Sequence, residues 1–238
     1  MSRPPAGIMT RSEMTPQMPR QPEVEAMDQA PEVEAYAKAD FSQVNQAFVD
    51  RLLGLASQAA RTARALDLGT GPGDIPIRLA RARPGWRITA IDVSKAMLAH
   101  ARRAAEAAGL AANIDFVLAD AKATRLPAGG FDVIFSNSIL HHISQMDRFW
   151  AELKRLAAPG AVVFLRDLFR PADEAAAGRI VAKHAGGESA LLREEYYRSL
   201  LSAWTIGEVR GQLNRAGLSE LAVAAVNDRH MDVIGRLS

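Results

Sequence analysis

The chain has 238 residues, of which 48% are hydrophobic and 24% are charged, and its formal net charge at pH 7 is +2. A chain of this size and composition can bury one substantial α/β core, and its small positive excess is not the clustered basic surface that nucleic-acid binding needs. It contains no cysteine, which excludes disulfides, thiolate metal sites and cysteine nucleophiles.

The first part of the chain differs in composition from the rest. Half of the twelve prolines lie before residue 35, and no apolar run there is long enough for a signal peptide or a membrane span. We therefore predict a disordered tail over residues 1–21, and an acidic segment with a following helix over residues 22–60. Ser42 is the predicted N-cap of that helix, whose apolar face carries Val44, Phe48, Leu52 and Leu55.

Residues 64–74 read Arg-Ala-Leu-Asp-Leu-Gly-Thr-Gly-Pro-Gly-Asp. The apolar residues at the start predict a buried strand, and the pattern from Asp74 onward predicts a helix that points its N-terminus back at the turn. The three glycines between them allow a sharp turn and a close approach of the backbone to a ligand. The stretch is typical of a nucleotide-binding turn, with a carboxylate, Asp67, two places before the first glycine.

Three further apolar segments predict strands at Arg87–Asp92, Ile114–Asp120 and Phe131–Asn137, and each ends in a polar side chain. Asp92 lies 19 residues after Gly73, which is where a ribose-binding acid falls in nucleotide-binding α/β folds. Each acid taken singly is also typical of a helix cap or a turn. Four consecutive strands that end in ligand-type residues favour a nucleotide site over that interpretation.

The D-x-G-x-G-x-G spacing that begins at Asp67 resembles the first motif of class I S-adenosylmethionine-dependent methyltransferases, and the resemblance covers about residues 36–237. It implies a Rossmann-like α/β fold with a seven-stranded sheet in the order 3-2-1-4-5-7-6, strand 7 antiparallel and helices on both faces. It also implies S-adenosyl-L-methionine as the cofactor. The Leu-His-His-Ile run that begins at Leu140 resembles the fourth-motif region, after the fourth strand, of small-molecule methyltransferases.

The resemblance implies a role for each strand end. Asp92 is expected to accept from the ribose hydroxyls, Asp120 to hold the adenine amino group with Ala121 beside the ring, and Asn137 to lie near the reacting methyl group. Residues 22–60 are expected to provide a lid over the cofactor, although their aromatic side chains are equally typical of ordinary helix packing. The expected cofactor-binding residues are Tyr36, Asp67, Gly69, Gly71, Gly73, Asp92, Val93, Asp120, Ala121 and Asn137.

The middle of the chain continues to alternate between strand and helix. Helices are predicted at 74–83, at 94–108 with Ser94 as its cap, and at 144–157 with Ser144 as its cap. Because strands that alternate with helices form parallel sheets with helices on both faces, this pattern agrees with the implied fold.

The last part of the chain contains a long connection and a hairpin. A fifth strand at Ala161–Arg166 precedes the segment 167–206, which has two helical stretches and is expected to form a substrate cap above the sheet. A helix follows at 208–217. Strands at Leu218–Val226 and Met231–Leu237, joined by a tight turn, then complete a methyltransferase domain over residues 61–238.

Methyl transfer depends mainly on holding the nucleophile and the methyl group in line, and a general base is optional. His141 and His142 follow the fourth strand, where a neutral imidazole can accept a proton near pH 7, although either histidine is equally typical of a helix cap. The charged residues at the same edge are expected to bind an acceptor or to pair with one another. The expected catalytic residues are His141, His142, Asp167 and His230, and the expected substrate-binding residues are Phe41, Arg166, Tyr196, Tyr197 and Arg229.

The sequence leaves two other classes of protein as alternatives. An NAD(P)-dependent oxidoreductase is disfavoured because Asp74 stands where G-x-G-x-x-G needs its third glycine, and a non-catalytic relative that binds an adenosine ligand is the other alternative. Ser-Ile-Leu follows Asn137 in place of the Pro-Pro-aromatic run of amino-methylating nucleic-acid enzymes. We therefore expect a cytoplasmic enzyme with a small-molecule substrate and no metal, nucleic-acid or membrane partner; a homodimer is compatible with these expectations.

Overall fold

The computed structural model describes residues 18–23 and 41–238. After an N-terminal helix, its strands and helices alternate along most of the chain. In chain order the elements are α1 (Ser42–Leu55), β1 (Arg64–Leu68), α2 (Asp74–Ala82), β2 (Arg87–Asp92), α3 (Lys95–Ala107), β3 (Ile114–Leu118), β4 (Phe131–Asn137), α4 (Met146–Leu156), β5 (Ala157–Leu168), α5 (Glu174–His184), α6 (Ala190–Ser202), α7 (Ile206–Ala216), β6 (Ala222–Ala225) and β7 (His230–Leu237). Short 3₁₀ turns lie at Ala111–Asn113 and Leu140–His142.

The strands form a seven-stranded sheet in the order β3-β2-β1-β4-β5-β7-β6. Neighbouring strands are parallel except at β7, which is antiparallel to both β5 and β6. The predicted Rossmann-like α/β fold, its strand order and its reversed seventh strand are confirmed. Because β6 is parallel to β1–β5, the turn between β6 and β7 lies at the carboxyl edge of the sheet, beside the loops that follow β1 to β5.

Alternate residues of the buried strands face opposite sides of the sheet, which produces two apolar cores. In β5, Val163 and Leu165 pack on the side of α4 and α7, whereas Val162 and Phe164 pack on the side of α1 and α2. Phe48 of α1 stacks on Phe164 with ring centroids 4.5 Å apart. Since helices cover both faces, the carboxyl ends of the strands are left for a ligand.

The helix starts agree with the predicted caps at α3 but not at α1 or α4. Ser94 caps α3, because its hydroxyl accepts the backbone N–H three residues further on at 3.2 Å. Ser42 is the first residue of α1, and the cap position is Phe41. Ser144 lies two residues before α4, whose cap position is Gln145. Both of these predictions are wrong, because each serine lies one residue from the position whose side chain reaches the free N–H groups.

Two strands differ from their predicted bounds. β5 begins at Ala157, directly after α4, and it contains Gly160, whose φ of +81° accommodates an irregular start. β6 begins only at Ala222, because Leu218 is still hydrogen-bonded to the last turn of α7. The N–H of Leu218 donates to Leu213 O at 2.9 Å, after Gly217 has turned the chain in the left-handed conformation.

Segment 167–206 contains α5 and α6, which pack around a third and smaller apolar cluster. Residues 18–23 lie against α6 and the loop after it: Gln21 donates its N–H to Leu201 O at 3.1 Å, and the guanidinium of Arg20 lies 4.0 Å from the ring centroid of Trp204. Residues 18–21 belong to the predicted disordered tail, and these contacts correct that prediction for them. The rest of the tail, and residues 24–40 with Tyr36, lie outside the described residues.

No helix among residues 18–23 and 41–238 is both long and apolar enough to cross a lipid bilayer.

We expect Gly73→Ala to lower the free energy of unfolding by about 2–5 kcal/mol. A left-handed backbone costs a residue with a Cβ about 1–2 kcal/mol, and overpacking a filled space costs about 1–3 kcal/mol more. Gly73 has a φ of +86°, and a Cβ there would lie 2.7 Å from the Cβ of Ala101. Urea unfolding followed by circular dichroism measures the change.

Gly109→Ala is the matched control for this substitution. Gly109 has a φ of +68°, but a Cβ there would have nothing within 4 Å. Its expected cost is that of the backbone alone, about 1–2 kcal/mol. Equal losses of stability in the two variants would contradict the packing argument.

Candidate active site

A cavity of about 840 Å³ opens at the carboxyl edge of the sheet. Its wall includes the glycine turn after β1, the residues that follow β2, β3 and β4, the start of β7, and parts of α1 and α6. Small-molecule sites commonly enclose about 300–1,000 Å³, so the space suffices for a cofactor and a small second ligand. Most of the predicted strand-end residues and the predicted histidines line this one cavity.

The glycine turn after β1 is held by the end of β2. Gly69 and Thr70 donate their N–H groups to Ile91 O at 3.0 and 2.9 Å, and Gly71 donates to the Asp92 carboxylate at 2.8 Å. Gly71 lines the cavity with a φ of +54°, and a Cβ there would meet nothing within 4 Å. Glycine at this position therefore leaves room for a ligand close to the backbone.

The other two glycines of the motif serve close packing within the protein. A Cβ on Gly69 would lie 2.8 Å from Cδ1 of Ile139. Gly73 lies against Ala101, occupies the N-cap position of α2 and does not line the cavity. Gly73 was predicted to bind the cofactor, whereas the structure places it behind the turn.

Asp67 lies beneath the glycine turn and is only 2% exposed. One of its carboxylate oxygens, Oδ2, has no hydrogen-bond partner among the described residues. Burial, together with the nearby charge of Asp92, raises the pKa of Asp67 to about 7. A buried carboxylate oxygen without a partner is costly, so a cationic ligand in the cavity would stabilise Asp67.

The end of β2 forms the next part of the wall. The Asp92 carboxylate accepts the N–H groups of Gly71 and Ser94, each at 2.8 Å, and these two bonds fix its orientation at the cavity. Val93 follows with 41% of its surface exposed, although it is apolar. An apolar side chain beside a fixed carboxylate suits a flat ring joined to a hydroxylated sugar.

The residues after β3 and β4 complete this half of the cavity. Asp120 lies two residues beyond β3 and accepts the backbone N–H of Lys122 at 2.8 Å, with the Lys122 ammonium 3.1 Å away. Ala121 and Asn137 line the cavity beside it. Ser138 has a φ of +65°, a strained conformation for a residue other than glycine and one that is common at functional sites.

His141 is buried, with its Nδ1 2.6 Å from Oδ1 of Asp167. Asp167 also accepts the N–H groups of Leu140 and Leu168, so this buried carboxylate is well satisfied. Burial by itself lowers the pKa of His141, but the carboxylates of Asp167 and Glu23 outweigh it and raise the pKa above its usual value. Asp167 does not line the cavity, and it therefore positions His141 rather than making the predicted catalytic contact.

Glu23 brings a second carboxylate to the histidine pair from the N-terminal segment. Its Oε1 lies 3.2 Å from Nδ1 of His142 and 3.6 Å from Nε2 of His141, and Ser199 donates its hydroxyl to it at 3.2 Å. The two imidazole rings lie 4.1 Å apart. Burial raises the pKa of Glu23, and His141 opposes this only in part. Sequence reasoning missed Glu23, because it lies in an acidic run without a periodic pattern.

The charged residues from β5 and β7 pair largely with each other. Arg166 donates two hydrogen bonds to Asp232, at 2.7 and 2.8 Å, so the predicted substrate-binding guanidinium is held by a buried carboxylate that no sequence motif indicated. His230 lines the cavity. Burial, together with the adjacent Arg229, lowers the pKa of His230 to about 4, and its ring is therefore neutral at pH 7.

The two adjacent tyrosines of α6 have different surroundings. Tyr196 lines the cavity, and burial raises its pKa to about 12 although the neighbouring Arg229 opposes the shift. The guanidinium of Arg229 lies 6.0 Å from the Tyr196 ring centroid. Tyr197 packs against the third apolar cluster instead of lining the cavity, contrary to its predicted role. Phe41 lines the cavity at the start of α1.

The strand order, the D-x-G-x-G-x-G turn and the acid at the end of β2 together define the class I S-adenosylmethionine-dependent methyltransferase fold. Residues 65–160 match the family model described as a methyltransferase domain. The chain is 32% identical over 180 residues to a ubiquinone/menaquinone biosynthesis C-methyltransferase from Methylobacterium nodulans, with 70% of each chain covered. It is 36% identical over 117 residues to a demethylmenaquinone methyltransferase from Thermus thermophilus, with 49% of this chain and 52% of that protein covered.

Among solved structures, the fold is similar to that of an S-adenosylmethionine-dependent methyltransferase from Aquifex aeolicus. The TM-score is 0.64 at 20% identity, over 87% of this chain and 98% of that chain. The chain belongs to the S-adenosylmethionine-dependent methyltransferase family, and S-adenosylmethionine is the family's cofactor. It spans about half the length of the Thermus relative.

The residues present fit this cofactor. S-adenosylmethionine carries a sulfonium and an ammonium group, and Asp67 offers it a buried carboxylate oxygen that lacks a partner in the described part of the chain. The open space at Gly71 leaves room for the cofactor beside the backbone. The fit of the cofactor thus rests on the negative charge of Asp67 and on the free space beside Gly71.

We expect cofactor binding to release a proton near pH 6–7, because a nearby cation lowers the pKa of Asp67 from about 7. Calorimetry in buffers of different ionisation enthalpy measures the number of protons released. The raised pKa also implies that the ligand-free protein loses stability as the pH rises from about 4 towards 7, since the unfolded chain releases this proton first. Asp67→Asn should abolish both effects, and unchanged proton release in that variant would exclude Asp67 as the source.

Proposed function

We propose that this protein transfers the methyl group of S-adenosylmethionine to a small-molecule acceptor at an O, N, C or S nucleophile, with S-adenosylhomocysteine as the second product. The observation that carries the proposal is a single cavity of about 840 Å³ with the glycine turn in one half and the histidine pair in the other. The first half is suited to the donor, and we assign the second half to the acceptor. Family membership disfavours the oxidoreductase alternative.

When bound, the cofactor would supply an electrophilic methyl group: the acceptor nucleophile would bond to the methyl carbon in line with the C–S bond, and the electron pair of that broken bond would stay on the departing sulfur. Asp67 would hold the cationic end of the donor, and Asp92 its ribose hydroxyls. Holding two reactants in line at near contact distance can lower the barrier by about 7–11 kcal/mol. Most of the rate acceleration is therefore expected to come from the way the protein positions the donor and the acceptor.

His141 is suited to a role in proton transfer. Asp167 accepts a hydrogen bond from Nδ1–H of His141, which leaves Nε2 as the acceptor nitrogen of the neutral ring. An oxygen or nitrogen nucleophile beside Nε2 could lose its proton there. Because the pKa of His141 is raised, a base role requires the rate to rise with pH through a value above 6.5.

The acceptor half of the cavity favours a ligand with oxygen atoms. The hydroxyl of Tyr196 and the guanidinium of Arg229 lie next to each other at the cavity and are both hydrogen-bond donors, so an acceptor with a phenol, quinol or carboxylate oxygen could accept hydrogen bonds from them. We also propose that residues 22–60 provide the lid over the cofactor. Two described residues of this segment support the proposal: Glu23 lies beside the histidine pair, and Phe41 lines the cavity.

A screen of methyl acceptors that detects S-adenosylhomocysteine tests the proposed function. Quinol rings and compounds with a free carboxylate should be included first, since similar proteins are named as a demethylmenaquinone methyltransferase and a malonyl-[acyl-carrier protein] O-methyltransferase. Tight cofactor binding without turnover for any acceptor would favour the non-catalytic alternative.

We expect Asp92→Ala to weaken donor binding by about ten-fold or more, because charge-assisted hydrogen bonds to the ribose contribute about 1.5–3 kcal/mol. Titration calorimetry with S-adenosylmethionine measures the affinity. Asp132→Ala is the matched control, since Asp132 is an acid of β4 that does not line the cavity. Equal affinity in the wild type and the Asp92 variant would exclude the ribose contact.

We expect His141→Ala to lower the rate of the chemical step by about 10²–10⁴-fold while donor affinity stays nearly unchanged. Asp167→Asn should lower the rate less and shift the pH profile, because the ring keeps its place but loses the charge that raises its pKa. Single-turnover kinetics measure the step. Full activity in His141→Ala would show that His141 is not an essential base, and that the rate acceleration comes mainly from holding the donor and the acceptor in line.

A further inference from the structure

The side chains of Glu23, His141 and His142 form a cluster at the acceptor end of the cavity that methyl transfer does not by itself explain. One carboxylate oxygen and one nitrogen from each ring lie within 4.8 Å of one another. Glu23 Oε1 is 3.2 Å from Nδ1 of His142 and 3.6 Å from Nε2 of His141. Both histidines line the cavity, so the cluster faces the space assigned to the acceptor.

The two distances from Glu23 are close to those between ligands of one metal ion. Ligand atoms about 2.0–2.2 Å from a tetrahedral Zn²⁺ lie about 3.3–3.6 Å from each other. The two measured distances from Glu23 are close to this range, so an ion could be accommodated with small rotations of side chains. Two imidazoles and one carboxylate are also a ligand set that transition-metal sites with open positions use.

The cluster has the supporting contacts that metal ligands usually have. Nδ1 of His141 is 2.6 Å from the buried carboxylate of Asp167, which orients the ring so that Nε2 points to Glu23. Metal-bound histidines typically make this kind of hydrogen bond to a carboxylate through their other nitrogen. Asp167 is in turn held by two backbone N–H groups, so its position does not depend on an ion.

Hydrogen bonds that do not involve the histidine rings also hold the backbone around Glu23 in place. Arg20 donates to Ser202 O and to His141 O, at 2.5 and 2.7 Å, and the N–H of Glu23 donates to the Ser202 hydroxyl at 3.3 Å. Ser199 donates its hydroxyl to the Glu23 carboxylate at 3.2 Å. Glu23 is thus placed at the histidine pair by contacts with α6, which lowers the cost of ordering it on binding an ion.

We propose that Glu23, His141 and His142 bind a first-row transition-metal dication of the Zn²⁺ type. The charges favour this, because the carboxylates of Glu23 and Asp167 flank the rings and Arg20 supplies only one positive charge to offset them. The proposal replaces the expectation of no metal ion. The following point rests on the proposed function. The open coordination position of the metal ion binds an oxygen atom of the methyl acceptor, and Nε2 of His141 acts as a metal ligand instead of a general base.

The test is calorimetric titration of the full chain with Zn²⁺ alone, after treatment with a chelator. We expect one ion per chain, with an affinity that falls about ten-fold or more in Glu23→Gln and in His142→Ala. Asp167→Asn, which removes only the supporting charge, should weaken Zn²⁺ binding about 10–100-fold. His184→Ala is the matched control, because His184 forms a separate pair with Asp228 at 3.0 Å and its loss should leave the affinity unchanged.

Spectra of the wild-type protein provide a second measurement, which is valid even if the variants fail to fold. In ¹⁵N-histidine spectra, Zn²⁺ should shift Nε2 of His141 and Nδ1 of His142. Shifts confined to the other three histidines, or equal Zn²⁺ affinity in the wild type, Glu23→Gln and His142→Ala, would overturn the metal site. Zn²⁺ is titrated without donor or acceptor, so the outcome does not depend on methyl transfer, and a failure of the metal site is distinguishable from a failure of the proposed function.

Discussion

The hydrogen bond from the Gly71 N–H to the Asp92 carboxylate is the contact on which the donor half of the cavity depends. It joins the left-handed turn after β1 to the end of β2, next to two backbone bonds that Ile91 O accepts from the same turn. A turn in which every second residue is left-handed has few internal bonds of its own and needs an external acceptor. The carboxylate expected to bind a ribose therefore also holds the backbone beside which that ribose would lie.

The acceptor half repeats this arrangement with a different acid. Asp167, at the end of β5, accepts the Leu140 N–H in the loop after β4 and a hydrogen bond from His141 in the same loop. In both halves a carboxylate at the end of one strand holds the loop that follows the neighbouring strand. The parallel sheet makes this possible, because it brings the ends of adjacent strands together at one edge. A rigid sheet thus positions two loops whose own sequences would not define their shape.

Much of the fold could be predicted from the sequence, because apolar alternation and glycine spacing are local signals. The strand order came from the resemblance to methyltransferases, since no local signal specifies which strands are neighbours. Pairings between distant parts of the chain could not be predicted: Arg166 meets Asp232, and Glu23 meets the histidine pair. Tyr196 and Tyr197 could not be told apart either, because α6 lacks a clear apolar face and consecutive helical residues point about 100° apart.

The two halves of the cavity also rest on different parts of the molecule. The donor half lies on strands packed between the two large cores, and most of it falls within residues 65–160, which match the methyltransferase family model. The acceptor half combines the histidine pair, which lies within that match, with residues 18–23, α6 and the turn before β7, which lie outside it; α6 packs on the small third cluster. Segments with few buried contacts open most easily. Family resemblance therefore identifies the donor, and the acceptor has to be inferred from the loops and helices that this chain adds around it.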